Sequence, residues 1–370
     1  EPDPARDGTH ADNVSRSRPM RTWISLCFTL ALGGVACAGD SGHTMDTEPV
    51  LTSATGRTSA DAGDAGPTSP AGRSAEAGSP VEAGSPADAG GVVETPASAN
   101  VVQHANAFFF GHSLVGWDMP NMLVSFASAR QQSFSFHGQI GYGTSLKMHV
   151  DWDGAERNAP FGFSNDSYGH AGFVGEGKAE LDTGKYDVVV MTESNGHTGT
   201  DGSETAAAAF ALAQRARSKN PSARLFLYAN WLSRNDFADL SAWQKRTLAD
   251  LPFWEKVADR VNAQLAGEDI HVLPVGQILA KITTDLASGK LSGVSVDDLF
   301  RDDVHVNDLG FYIVAAAHYA AIFQTSPAGL PVQVNGELGP AKQLPRDVAS
   351  AVQTRVWDEL SAYSRSGVKR

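Results

Sequence analysis

Ala107-Phe-Phe-Phe-Gly-His-Ser-Leu-Val-Gly116 is an apolar run that ends abruptly in a small polar turn. Four apolar residues in a row, closed by a glycine, fit a buried parallel strand whose carboxyl end opens into a tight turn. Ser113 then stands at the rim of that strand. The next stretch, Asp118-Met-Pro-Asn-Met-Leu-Val-Ser-Phe-Ala-Ser-Ala-Arg130, has an aspartate in capping position, a proline near the first turn and apolar residues at helical spacing. The unit predicted is strand, serine-bearing turn, helix. In an open α/β sheet, ligands bind beyond the carboxyl ends of the strands, so the Ser113 hydroxyl lies where chemistry is expected. A serine between strand and helix is at least as often a turn residue or a cap, and Ser113 therefore needs partners from elsewhere in the chain.

Beyond this unit, strand-like and helix-like patterns alternate. Ser133–His137, Tyr186–Thr192, Ala223–Ala229 and Ile270–Val275 read as strands. Glu204–Ser218, Ser241–Leu265 with a break at Pro252, Gln277–Ser288 and Asp308–Phe323 read as helices. The last of these is apolar on nearly every side, which predicts burial against a sheet. Strands alternating with helices predict one α/β domain over residues 101–325, a three-layer α/β/α sandwich with a mainly parallel five-stranded sheet. Between Gly138 and Lys185 a glycine-rich stretch shows little periodicity, and a loop of that length is often functional. After Gln324, Pro327, Pro331, Pro340 and Pro345 mark an extended segment. Val348, Ala351, Val352, Val356 and Leu360 are then spaced for a terminal amphipathic helix, so residues 326–370 read as a C-terminal extension.

Not all of the 370 residues enter that domain. Residues 1–19 are polar and read as a segment upstream of the true start. Met20–Ala38 has a basic start, an apolar stretch and small residues at its end, the form of a secretory signal peptide. Its apolar stretch is too short to span a membrane comfortably. Two cleavage patterns are open: after Ala38, giving simple secretion, or before Cys37, giving a lipoprotein with lipid on Cys37. Residues 39–100 contain no aromatic residue and no lysine and repeat short units such as Glu76-Ala-Gly-Ser-Pro80 and Glu82-Ala-Gly-Ser-Pro86. Such a composition buries too little apolar surface to offset the entropy of ordering, which predicts a disordered linker. The expected location is outside the cytoplasm: secreted, periplasmic or lipid-anchored to the envelope.

The 2 cysteines, Cys27 and Cys37, both fall in the targeting segment. The predicted domain is thus without a thiol, which excludes disulfides, cysteine-ligated zinc and a cysteine nucleophile there. A formal net charge of -13 argues against nucleic acid or an anionic membrane surface as partner, leaving Cys37 lipidation as the one route to a membrane.

The second informative stretch is Phe300-Arg-Asp-Asp-Val-His-Val-Asn-Asp-Leu-Gly310. A histidine acts as general base toward a serine when a carboxylate holds its other ring nitrogen. Asp302, three residues before His305, suits a loop folded back on itself; Asp303 is the rival by proximity. An ordinary α/β-hydrolase elbow wants glycine two residues after the serine, where this chain has Val115.

Gly111-His-Ser-Leu114 near the start of the domain and Asp302-Asp-Val-His305 near its end resemble the first and last motif blocks of the GDSL esterases, or SGNH hydrolases. His112 replaces the aspartate common in the first block. The resemblance spans about Asn106 to Phe323 and implies a flavodoxin-like sandwich with Ser113 as nucleophile, His305 as base and Asp302 as its partner. It also implies an oxyanion hole built from the N–H groups of Ser113 and Gly143, with Gly141 as the competing donor, and from the side-chain amide of Asn195. Around Asn195 the family pattern is altered, with Glu193 in place of a glycine and Gly196 in place of an aspartate. His112, Glu193, Trp152 and Trp231 are candidates for substrate contact, the tryptophans fitting core packing as well. No metal or organic cofactor is required; His149, Asp151, Asp153, His170 and His197 have no recognised ligand spacing. The function implied is removal of a small acyl group, acetyl first, from an ester substrate, with an O-acetylated carbohydrate as the leading candidate for an exported enzyme. An acyltransferase with the same triad and a non-catalytic carbohydrate-binding lipoprotein are the alternatives.

Overall fold

A computed structural model of the chain describes residues 101–141, 143–152, 164–167, 177–194 and 201–369. The leader and linker assignments over residues 1–100, together with Asp153, His170, Asn195, Gly196 and His197, lie outside the described residues.

The opening run forms strand β1 (His104–Gly111), followed by helix α1 (Asp118–Ala129) and strand β2 (Ser133–Ile140). Short elements come next: α2 (Leu146–Asp151), β3 (Ser164–Ser167) and α3 (Gly177–Leu181). Then β4 (Val188–Met191), α4 (Ser203–Lys219), β5 (Arg224–Tyr228), α5 (Leu240–Leu248) and α6 (Leu251–Asn262) lead to β6 (His271–Leu273). Helices α7 (Val275–Ala287) and α8 (Asp308–Phe323) precede a small hairpin, β7 (Asn335–Gly336) with β8 (Gly339–Pro340), and α9 (Arg346–Ala362). The main sheet runs β3-β2-β1-β4-β5-β6. Five of its strands are parallel, as expected, and β3 adds an antiparallel edge beside β2.

Successive side chains of a strand point to opposite faces, and with both faces covered by helices each strand can be apolar throughout. In β1, Ala105, Ala107 and Phe109 enter one core with α1, α7, α8 and α9, whereas Phe108 and Phe110 enter the other with α4 and α6. Val188 and Val190 of β4 join the first core, and Val189 and Met191 the second. The same alternation separates Phe226 and Tyr228 from Leu225 and Leu227 in β5. Helix α8 is buried along nearly its whole length, Leu309 through Phe323, which accounts for a sequence apolar on every side.

One helix start differs from expectation. Asp118 does not cap α1: the cap position is Trp117, and the Asp118 carboxylate instead accepts the Glu337 N–H (2.9 Å), tying the β7–β8 hairpin to the helix. Helix α8 is capped by Asn307, whose Oδ1 accepts the Leu309 N–H at 2.9 Å. In α9, Val348, Val352, Val356 and Leu360 pack into the first core at one-turn intervals.

Candidate active site

The carboxyl end of β1 turns sharply. The His112 carbonyl accepts the N–H groups of Val115 (2.8 Å) and Gly116 (3.2 Å), closing a tight turn with Ser113 on its outside. Gly111 is required there because a Cβ on it would stand 2.4 Å from the Val115 side chain. Ser113 is half-buried while His112 and Leu114 on either side of it are buried, so the turn offers one hydroxyl to the surface.

The segment before α8 folds back on itself, joined by an antiparallel bridge between Phe300 and Val306. Asp302 Oδ1 accepts the N–H groups of Val304 (2.9 Å) and His305 (2.6 Å), and its Oδ2 lies 2.7 Å from His305 Nδ1. Burial works to raise the Asp302 pKa, but the His305 and Val304 N–H groups and the imidazole outweigh it and hold it below the usual carboxylate value. His305 Nε2 lies 2.8 Å from Ser113 Oγ. With an ionised carboxylate on Nδ1, the imidazole keeps its proton there and presents an unprotonated Nε2 to the serine. Asp303, the rival, is directed elsewhere: its carboxylate accepts the Ser233 hydroxyl at 2.5 Å.

A brace for this loop, not foreseen from the sequence, comes from residues 231–234 after β5. The Trp231 indole N–H donates to the Val304 carbonyl (2.7 Å). The Arg234 N–H donates to the Asp303 carbonyl (2.8 Å), and its guanidinium reaches the Asp302 carbonyl (3.3 Å) and the Asp297 carboxylate (2.7 Å) while lying over the Phe300 ring. Backbone carbonyls accept most of these bonds, and carbonyls carry no sequence signal.

The residues given to substrate contact are placed otherwise. Trp231 and Trp152 are buried, so neither offers a platform to a ligand. His112 is 1% exposed, and its Nε2 lies 2.8 Å from the Glu193 carbonyl. Burial, the largest influence, pushes its pKa down to about 4 against the pull of that carbonyl, with His305 nearby lowering it further. Glu193 is buried too, its carboxylate accepting the Ser194 N–H and hydroxyl and the Thr205 hydroxyl (2.8, 3.1 and 2.9 Å). All four serve the interior. His149, weighed as a metal ligand, is buried and hydrogen-bonded to Gln139 and the Gly111 carbonyl. Among the described residues no group of three or more His, Cys, Asp or Glu side chains is placed to hold a metal ion.

Of the two glycines competing as oxyanion donors, Gly141 gives its N–H to the Gly111 carbonyl at 2.9 Å. Gly143 adopts a φ of 65°, the left-handed region open to glycine, and its N–H meets no backbone acceptor among the described residues.

The serine after β1 and the Asp-x-x-His loop before α8 meet beyond the carboxyl end of β1. The fold is a three-layer α/β/α sandwich around a mainly parallel sheet. No family model matches the sequence, and no curated protein matches it. Among solved structures, the chain is similar to a DUF4886 family protein from Bacteroides uniformis, with a TM-score of 0.50 at 14% identity over 70% of this chain and 95% of that one. It also aligns with a protein assigned to the SGNH hydrolases from Slackia heliotrinireducens, at TM-score 0.36 and 19% identity over 58% of this chain and 97% of that one. A two-domain esterase active on acetylated mannans aligns at TM-score 0.36 and 14% identity over 62% of this chain and 53% of that one. At such identities the likeness is one of fold.

Proposed function

We propose that this chain is a serine ester hydrolase of the SGNH type. The observation that carries the proposal is the continuous hydrogen-bonded line from Ser113 Oγ to His305 Nε2 (2.8 Å) and from His305 Nδ1 to Asp302 Oδ2 (2.7 Å). In the reaction, Ser113 Oγ attacks the ester carbonyl carbon and its proton passes to His305 Nε2. Asp302 stabilises the imidazolium without taking its proton. The N–H groups of Ser113 and Gly143 and the Asn195 amide receive the developing oxyanion. His305 then protonates the leaving alcohol, and water repeats the sequence on the acyl-enzyme.

The acyl group proposed is small, acetyl first, and the alcohol proposed is a carbohydrate. The support for a carbohydrate is location: a chain with a secretory leader at 20–38 and a linker at 39–100 meets polysaccharides outside the cytoplasm. Hydrolysis of acetyl, butyryl and octanoyl p-nitrophenyl esters and acetate release from O-acetylated polysaccharide are the direct assays. Turnover by the wild type that is lost in Ser113→Ala and in His305→Ala supports the proposal. A Ser113→Ala variant that folds and keeps its turnover overturns it.

A further inference from the structure

Two imidazoles lie inside the domain beside the Ser113 turn, and the proposed reaction uses neither. His112 is 1% exposed and His149 is fully enclosed. Their partners define both tautomers. Gln139 Oε1 accepts the Gly177 N–H at 2.6 Å, so the Gln139 Nε2 group, 2.9 Å from His149 Nδ1, is the donor to that ring. The His149 proton is therefore on Nε2, which donates to the Gly111 carbonyl at 3.0 Å. The Thr144 hydroxyl lies 3.1 Å from the same Nε2 and donates to the Gly141 carbonyl at 2.8 Å. Likewise, the Leu114 N–H points at His112 Nδ1 (3.3 Å), which leaves the His112 proton on Nε2, donating to the Glu193 carbonyl. Asn230 Nδ2 donates to that carbonyl at 2.6 Å and to Thr192 Oγ1 at 3.1 Å.

We propose that His112 and His149 are positioning residues that set the spacing of the oxyanion-donor segments around Ser113. His149 joins the end of β1 to the Gly141–Thr144 turn that carries Gly143, and His112 joins the serine turn to Glu193, two residues before Asn195. This rests on the hydrolase reading above. Oxyanion donors act only when held within a fraction of an ångström, and the buried hydrogen bonds of His112 and His149 supply that rigidity. An imidazole suits position 112 because it accepts one N–H while donating another to a carbonyl. The aspartate common in the resembling family accepts only when ionised and has no proton to give Glu193. Both rings are held neutral chiefly by burial, with values pushed down to about 4 for His112 and about 3 for His149.

The test compares His112→Phe, which fills the space without an N–H, with His112→Gln, which returns a donor near the position of Nε2. The readouts are kcat and KM for p-nitrophenyl acetate and the thermal melting of each protein. The expected result for His112→Phe is a kcat about 10- to 100-fold lower at unchanged KM. His112→Gln should recover most of that loss. Thr205→Val, which releases Glu193 from its other side with little change of shape, gives a second measurement should His112→Phe fail to fold; a lower kcat at unchanged KM is expected. Wild-type kcat in His112→Phe or, if that variant does not fold, in Thr205→Val overturns the proposal, as does equal loss in His112→Phe and His112→Gln. Ser113→Ala, run alongside, separates the two readings: turnover surviving there overturns the hydrolase itself, whereas its loss beside a fully active His112→Phe overturns only the positioning role.

Discussion

Asp302 and Asp303 are neighbours in sequence with different tasks. Asp302 accepts from His305 and the loop N–H groups, whereas Asp303 accepts from Ser233. Asp302→Asn is expected to lower kcat/KM by about 10²- to 10⁴-fold, because an amide in that position favours the wrong imidazole tautomer. Asp303→Asn keeps an acceptor for the Ser233 hydroxyl and is expected to stay within a few-fold of wild type, about the range of a neutral surface change. Steady-state kinetics on both variants checks this, and the reverse order would reassign the partner of His305. The spacing of Asp302 and His305 was legible in the sequence, since it is local and chemically specific. His112 and Glu193, candidates for substrate contact, are buried, and of the two readings open for Trp152 and Trp231 the structure shows core packing: polar or aromatic character near a predicted cleft does not tell whether a side chain faces inward. The His112 and Glu193 partners lie on other elements, brought together only by the tertiary fold.

At the scale of elements, long apolar patterns were readable and short polar ones were not. β1, α4 and α8 stand within a few residues of where periodicity puts them, because each commits a whole face or its full circumference to a core. Helices α2 and α3 and strand β3, at 6, 5 and 4 residues, fall inside the glycine-rich stretch read as loop. None is long enough to display a period. The antiparallel edge was missed for the same reason. Element packing makes a stability prediction: Phe109, fully buried in β1 against the α8 side of the sheet, is expected to cost about 3–5 kcal/mol when changed to alanine. Leu338, 97% exposed in the β7–β8 hairpin, is expected to change stability by less than about 0.5 kcal/mol on the same substitution. Urea unfolding of the two variants measures the contrast, and equal effects would contradict the core assignment.

At the scale of the whole molecule, three buried histidines make stability depend on pH. Burial is the main cause of the lowered values of His112, His149 and His318, at about 4, about 3 and about 4. In the unfolded chain each binds a proton near its ordinary value of about 6.5. Between that value and the folded-state ones the unfolded chain holds more protons, so stability rises with pH across this window. The contribution is fully present above about pH 6.5 and is lost on acidification toward about pH 4, at up to about 1.4 kcal/mol per pH unit for each histidine. The urea midpoint is expected to be level between about pH 7 and 8 and markedly lower by about pH 5. A midpoint unchanged at the lower pH would show that these rings are not held neutral by the fold.

The central claim is that Ser113, activated by His305, is a nucleophile. Intact-mass spectrometry after incubation with a fluorophosphonate tests it most directly, with peptide mapping of the adduct. The prediction is one adduct per chain, on Ser113, absent from Ser113→Ala and formed far more slowly in His305→Ala. A folded wild-type protein that takes up no label, or one that is labelled at another residue, contradicts the account.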